Sequence, residues 1–334
     1  MIHVLLCQVG TIESLEKKSV KKYLRRFLSD DRIIDLPKIF WRPILEIIIP
    51  VRQKKVLNFY SDIWTPHGSP LYATSLAQQK ALQEKLGGEF AVELFLSFTD
   101  SHSIEKVYAK MKQDGLEKII VIPLFPQFST ATTSGVIDTI FSKLFGWNGT
   151  RKKVKTHIPA IYCMTSFYNN DRYKKLYITH VQKGISALPN KPSTVIVSFH
   201  GLPKRYIFEG DVYQKHCEET FEYIQKAFLH SSTQFILTYQ SRFGAEQWLG
   251  PRTEDTVQEL AAKHPDDTVA VICPGFVTDC LETLSEIDRE LRNTYEKHGG
   301  NRNKFFYIPC LNTSDEFIQF LASSIQQSAS GFVR

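Results

Sequence analysis

Leu116-Glu117-Lys118-Ile119-Ile120-Val121-Ile122-Pro123-Leu124-Phe125-Pro126-Gln127-Phe128-Ser129-Thr130 and Asp267-Thr268-Val269-Ala270-Val271-Ile272-Cys273-Pro274-Gly275-Phe276-Val277-Thr278-Asp279-Cys280-Leu281 share one grammar. Each reads as a buried strand, then a proline, then an aromatic residue, then a polar turn that opens a helix. Short continuous apolar runs bounded by turn signals suit strands covered on both faces, as in a parallel sheet. Repetition of the pattern argues for two similar halves.

Working outward, β-rich runs alternate with helix-length amphipathic segments. Strands are expected at 2–9, 89–96, 118–124, 194–199, 233–239, 268–273 and 304–310, with a weaker one near 154–160. Helices are expected at 17–28, 72–86, 103–114, 135–145, 170–186, 211–229, 253–263, 280–297 and 314–328. This alternation predicts an α/β fold of parallel sheets covered by helices. The polar, basic stretch GWNGTRKKVKT (146–156) suggests a boundary. The expected halves are 1–150, with an apolar lip at 27–51, and 151–334, ending in helix 314–328.

The 334 residues suit two domains of roughly 150 residues or one large α/β domain. With 43% hydrophobic and 23% charged residues, the chain is neither a disordered nor a multi-span membrane protein. Lysine and arginine exceed acids by 41 to 35, too small a surplus for a nucleic-acid coat. Six scattered cysteines form no C-x-x-C pair, and free thiols in a reducing compartment are expected. Met1 to Leu6 reads as a first strand, with no basic leader or cleavage site. The greasiest stretch, Ile39 to Val51, contains Arg42, Pro43, Glu46 and Pro50, so it cannot span a bilayer but could lie on one.

Open α/β sheets bind ligands beyond the carboxyl ends of their strands. His200 stands at such an end, after Val195-Ile196-Val197 and before Gly201-Leu202-Pro203. Imidazole there can bind a borderline metal or move a proton near neutral pH. Asp279, Glu282, Glu286 and Glu290 form a second constellation. The last three, at i, i+4 and i+8, make one stripe about 12 Å long on an α-helix. Leu281, Leu284, Ile287 and Leu291 make a separate apolar stripe. A carboxylate ladder can pass a cation inward or protons outward; a solvated face balanced by Arg289 and Arg292 has the same pattern. Tyr239-Gln240-Ser241-Arg242 with Trp248 could wall a flat anionic ligand, or place a core tryptophan beside a turn. Phe128, Ser129 and the hydroxyls Thr130, Thr132, Thr133 and Ser134 can cap a helix or line a pocket. The glycosylation sequon Asn148-Gly149-Thr150 is discounted because nothing suggests secretion, and the run Arg151-Lys152-Lys153 is read as a solvated linker.

Together these strings resemble the ferrochelatase family, whose enzymes insert ferrous iron into a porphyrin. FLSDDRIIDLP (27–37), IWTPHGSPL (63–71), PLFPQFSTATTSG (123–135), SFHGLPKRY (198–206), TYQSRFGAEQWLGP (238–251) and CPGFVTDCLETLSEID (273–288) occur in the family's order. The resemblance implies two similar doubly wound domains, each with a four-stranded parallel sheet, and an active-site cleft between them. It implies that His200 and Glu282 are catalytic, and that these two with Glu286 and Glu290 handle the metal. Phe128, Ser129, Tyr239, Trp248 and Phe276 are then porphyrin-binding. Porphyrin and ferrous iron are the expected partners, without nucleic acid, in a monomer or homodimer. No cofactor beyond the substrate iron is expected.

The chain departs from the family pattern at several positions. Leu96-Ser97-Phe98-Thr99-Asp100-Ser101-His102 lacks the arginine of the family's M-R-Y-G-x-P, and Leu6-Cys7-Gln8-Val9-Gly10-Thr11-Ile12 replaces L-N-L-G-T-P. Cys280 stands where some members have histidine. The end at Arg334, without a cysteine-rich tail, leads us to expect no [2Fe–2S] cluster. The 27–37 segment leans towards protoporphyrin as substrate. Coproporphyrin ferrochelatase and a non-catalytic porphyrin or haem binder stay open beside it, while a cobalt chelatase would have histidine at Glu282. A cytoplasmic protein is expected, peripheral at the inner membrane through the lip Phe27 to Val51, with Arg52, Lys54 and Lys55 following for anionic lipid.

Overall fold

A computed structural model describes residues 1–34, 36–145, 158–242, 244 and 246–332. The chain forms two compact units. One comprises Met1–Leu124, Thr130–Thr165 and Thr313–Arg334; the other comprises Phe125–Ser129 and Ser166–Asn312. The expected boundary near 150, the sequon and the Arg151-Lys152-Lys153 run all lie outside the described residues.

The first unit is built on β1 (Ile2–Gln8), β2 (Phe90–Leu96), β3 (Lys118–Pro123) and β4 (Ala160–Cys163), in the spatial order β2-β1-β3-β4, all parallel. Central β1 pairs from Ile2↔Phe90 to Gln8↔Leu96 on one side and from His3↔Ile119 to Cys7↔Pro123 on the other. Its residues from His3 to Gln8 are buried, the burial on both faces that a helix-covered parallel sheet requires. The helix Pro70–Leu86 packs on β2, with Ser69 accepting the Tyr72 amide at 3.3 Å and Pro70 opening the first turn. The closing helix, Asp315–Ala329, packs on Pro70–Leu86 and β3, so it stands on the first unit, although it follows the second half in sequence.

The apolar lip resolves into a 26-residue helix, Lys38–Ile63, that packs on Lys17–Phe27. Pro43 and Pro50 lie inside it, both at exposed positions. One face is core: Trp41, Leu45, Ile49 and Tyr60 are buried, and the Trp41 indole N–H donates to the Leu28 carbonyl at 2.6 Å. The other face leaves Ile39, Phe40, Ile44, Ile47 and Val51 open, with Ile39 77% and Val51 76% exposed. The expected lip is therefore only half a lip, and Trp41 belongs to the core. No described helix is long and apolar enough to cross a membrane.

The second unit holds β5 (Thr194–His200), β6 (Gln234–Gln240), β7 (Val269–Ile272) and β8 (Phe305–Tyr307), in the order β6-β5-β7-β8, again all parallel. The strand order of the first sheet is thus repeated, and the expected α/β class with two four-stranded parallel sheets is present. Ile196, Val257, Val271, Ile287, Tyr295 and Phe305 form part of the core on one face of this sheet. In both sheets the strand order reverses beside the first strand, and ligands bind beyond the carboxyl ends at such a switch point. In the second unit that point lies between β5 and β7, where His200 and the Pro274-Gly275-Phe276 turn emerge.

One element differs in kind. The α-helix expected over 280–297 is a π-helix at Leu281–Leu291 followed by a short α-helix, Arg292–Lys297. Hydrogen bonds from i to i+5 widen the turn. The apolar stripe read at 3.6 residues per turn is therefore only half inside: Ile287 and Leu291 are buried together with Thr283 and Ser285, whereas Leu281 and Leu284 are half-buried. The span of about 12 Å, which assumed an α-helical rise, no longer applies.

His3 on β1 is fully buried, and neither ring nitrogen meets a partner among the described residues. Burial pushes its pKa below the ordinary 6.5. Above pH 6.5 the ring is neutral whether the chain is folded or not. Below it the unfolded chain takes up a proton that the folded chain resists, so stability falls as pH drops from 6.5 towards the lowered folded value and then levels. Urea midpoints measured across this range should decline with acid and decline less in His3→Leu; an identical slope in both proteins would remove His3 from this account.

Candidate active site

His200 ends β5 directly opposite Gln240, the last residue of β6. Its Nδ1 lies 2.7 Å from the Gly201 carbonyl, an oxygen that can only accept. Nδ1 therefore carries the proton, and Nε2 keeps its lone pair for a proton or a metal. The Gly201 amide donates to the Gln240 carbonyl at 2.8 Å, which clamps the two strand ends together. A Cβ on Gly201 would sit 2.7 Å from that carbonyl oxygen and 3.0 Å from the Trp248 ring. Glycine is thus required for the half-buried Trp248 to lie against the strand exit.

Sequence reading missed the role of Gln240. Its buried side-chain amide donates to the Glu282 main-chain carbonyl at 3.0 Å, and its Oε1 accepts the Ser198 hydroxyl at 2.8 Å. One side chain joins the strand that ends at His200 to the first turn of the π-helix. A polar residue closing a buried strand was the available signal. Next to it Ser241, at φ +64, donates its hydroxyl to the Glu286 carboxylate.

Glu282, Glu286 and Glu290 are all half-buried along the π-helix. Asp279 is different. It is 7% exposed and accepts from the Tyr307 hydroxyl at 2.6 Å, Asn312 Nδ2 at 2.6 Å and the Thr283 hydroxyl at 3.0 Å. The Thr283 hydroxyl also accepts the Cys280 amide at 3.0 Å. Asp279 is thus the structural anchor of the helix start and not a rung of the ladder. Arg292 is turned to Asp288 and the Phe305 carbonyl. Among the described residues no three His, Cys, Asp or Glu side chains converge into a metal cage. Burial drives the thiol pKa values of Cys273, Cys280 and Cys310 upward, leaving them protonated neighbours of the ladder.

The Phe125–Ser129 segment is held within the second unit by backbone and side-chain hydrogen bonds, the Pro126 carbonyl accepting the Phe167 and Tyr168 amides at 3.0 and 3.1 Å. Gln127 Nε2 donates to Thr220 Oγ1 at 3.1 Å and approaches the Pro274 carbonyl at 3.5 Å. The Phe128 amide donates to His216 Nδ1 at 3.2 Å, and the Ser129 hydroxyl to Asp211 at 3.0 Å. His216 in turn stacks on Tyr168, with centroids 4.2 Å apart. Phe128 is half-buried, whereas Ser129 is 3% exposed. Phe276 is half-buried against the core below β7. Tyr239 faces Phe199 in the core at 3% exposure, and burial raises the pKa of its hydroxyl. Phe128, Trp248 and Phe276 thus offer open aromatic surface, while Ser129 and Tyr239 stand behind it.

Where the family arginine is missing, in the first unit, Phe98 meets Phe27 edge-on at 5.3 Å and Tyr23 at 6.5 Å. Asp100, two residues on, is gripped by Lys22 and Arg26.

The family model described as ferrochelatase matches residues 2–329. The ferrochelatase of Proteus mirabilis is 38% identical over 324 residues, 97% of this chain and 96% of that protein. The coproporphyrin III ferrochelatase of Streptococcus mutans is 39% identical over 329 residues, 98% of each. The solved structure of SirB from Bacillus subtilis with Fe3+ superposes with a TM-score of 0.54 over 99% of both chains at 12% identity, a likeness of fold. Sheet order, the strand-end histidine and these matches lead to one conclusion: the chain belongs to the ferrochelatase family.

Proposed function

We propose that this enzyme inserts ferrous iron into protoporphyrin IX, forming protohaem and releasing the two pyrrole protons. The observation that carries the reading is the His200 ring, whose Nδ1 is engaged by the Gly201 carbonyl so that Nε2 is left as a base at the strand exit. A porphyrin must lose both inner N–H protons as the metal enters. Nε2 accepts one of them, as a positioned general base. The half-buried Glu282, Glu286 and Glu290 offer carboxylates to the metal and to the departing protons. An open ladder suits a metal that is cargo, because a closed cage would retain it. Phe128, Trp248 and Phe276 offer flat faces for the macrocycle, with Ser129 and Tyr239 fixing their backing.

The apolar face of Lys38–Ile63 supports protoporphyrin as the substrate. Protoporphyrin is poorly soluble in water, and an exposed row of Ile39, Phe40, Ile44, Ile47 and Val51 beside exposed Lys54 and Lys55 suits collection from an anionic lipid surface by a cytoplasmic enzyme peripheral at the inner membrane. Coproporphyrin is the second reading, favoured by the 39% identity to the coproporphyrin III ferrochelatase of Streptococcus mutans. Turnover of the two porphyrins under identical conditions tests the choice: a higher kcat/KM for protoporphyrin is expected, and a tenfold preference for coproporphyrin would reverse it.

His200→Ala should lower metal insertion about 100- to 10,000-fold while porphyrin quenching of protein fluorescence persists. Glu282→Gln should slow turnover more than either Glu286→Gln or Glu290→Gln. Wild-type rates in His200→Ala, or a silent Glu282→Gln, would contradict the assigned roles. Liposomes containing anionic lipid should co-sediment the wild type and release an Ile39→Asp/Ile47→Asp variant, whose changes lie on the open face; equal sedimentation would detach that face from the membrane.

A further inference from the structure

We propose that His216 is a positioning residue for the porphyrin wall: its bare Nδ1 accepts the Phe128 amide and so fixes the segment that presents Phe128, a hold that only the neutral ring provides. The inference rests on the proposed part of Phe128 as a face for the macrocycle and concerns what holds that face. Three observations carry it. First, a main-chain N–H can only donate, so the 3.2 Å contact leaves Nδ1 without a proton and puts the ring's one proton on Nε2. Second, His216 and Thr220 stand one turn apart on the helix Tyr213–Ala227, and each meets one of two consecutive residues. His216 takes the Phe128 amide, and Thr220 Oγ1 takes the Gln127 side-chain amide at 3.1 Å. Third, the ring is steadied through its face. It stacks on Tyr168 with centroids 4.2 Å apart and planes 29° from parallel, and the Tyr168 main-chain amide donates to the Pro126 carbonyl at 3.1 Å. The imidazole is thus tied through Tyr168 to the same segment whose amide it accepts.

This acceptor has a chemical limit. A protonated imidazole carries N–H on both nitrogens and has no lone pair for the Phe128 amide. The groups around the ring are Glu219 and Lys215 on its own helix, Asp211 just before that helix, and Tyr168 against its face. Tyr168 donates its hydroxyl to Glu219, and burial keeps that hydroxyl protonated. On the neighbouring helix Asp171–Ser186, Lys174 pairs with Asp171 at 3.6 Å and lies over the Tyr223 ring. Burial lowers the His216 pKa from the ordinary 6.5; Glu219 opposes this, Lys215 adds to it and Asp211 opposes it. The ring is therefore neutral above pH 6.5, and the hold on Phe128 is released as acid passes the lowered value.

The test uses the full chain and protoporphyrin without metal, its affinity read by quenching of protein fluorescence at about pH 7.5 and about pH 5.5. His216→Leu, which has no acceptor, should weaken porphyrin binding about three- to tenfold at the higher pH. His216→Asn, whose Oδ1 accepts as Nδ1 does and does not titrate, should bind within about twofold of wild type there. At the lower pH it should bind about three- to tenfold more tightly than wild type. Comparing the proteins at one pH cancels any ionisation of the porphyrin's own carboxyl groups. Wild-type affinity in His216→Leu at the higher pH, or parallel pH profiles in wild type and His216→Asn, overturns the proposal. So does a loss in His216→Leu that His216→Asn fails to restore. The pH profile of His216→Asn decides the matter by itself if His216→Leu does not fold. Phe128→Ala separates the two readings. Weaker binding there with silent His216 variants overturns this inference alone, whereas wild-type binding by Phe128→Ala removes Phe128 from the wall and this inference with it.

Discussion

The buried amide of Gln240 is the interaction on which the second unit's site depends. It accepts from Ser198 on β5 and donates to the Glu282 carbonyl at the start of the π-helix. If the amide were lost, the Glu282 carbonyl would lose this partner while the Ser198 hydroxyl would keep only Thr253, 2.8 Å away. The contact also sets where the ladder begins relative to His200, because Gln240 and His200 are partners in the parallel register. A one-residue slip of β6 would turn the amide to the opposite face of the sheet and leave the helix start unattached.

A second constraint acts from below. Asp279 gathers the Tyr307 hydroxyl, the Asn312 amide and the Thr283 hydroxyl around one carboxylate. It ties the turn after β7 to the loop after β8, and so fixes the direction in which the π-helix sets out. The wide turn brings Thr283 and Ser285 inside, where an α-helix of the same sequence would bury a leucine stripe. Thr283 is paired on both sides, whereas the buried Ser285 hydroxyl meets no partner among the described residues.

The first unit solves a different problem with Lys38–Ile63. Between Ile39 and Val51 that helix carries only Arg42 and Glu46 as charged residues, a pattern that ordinarily means burial on most sides. Here Trp41, Leu45 and Ile49 fill the core while Ile39, Ile47 and Val51 stay open. Polar contacts tie the helix down: the indole of Trp41 closes on the Leu28 carbonyl, Arg25 holds Glu46 by two hydrogen bonds, Gln53 donates to the Lys17 carbonyl and the Thr11 hydroxyl donates to Tyr60.

The two parallel sheets are legible in the amino-acid order alone, because continuous apolar runs such as Val195-Ile196-Val197 and Ile119-Ile120-Val121 can be buried only on two faces, and strands buried on both faces belong in helix-covered sheets. The same order also identified the residue types at the strand ends, His200 above all, since a titratable side chain following a buried run must emerge where ligands bind. Tertiary structure alone decided the π-helix, the division of labour between Asp279 and Glu282, and which half of the apolar lip is open. These depend on which partner a polar or apolar side chain meets. Asp279 and Glu282 are three positions apart and chemically alike, yet one is surrounded by donors and the other is half-buried. Local pattern carries periodicity and charge; it does not carry the identity of a hydrogen-bond partner more than thirty residues away, such as the Asn312 that closes on Asp279.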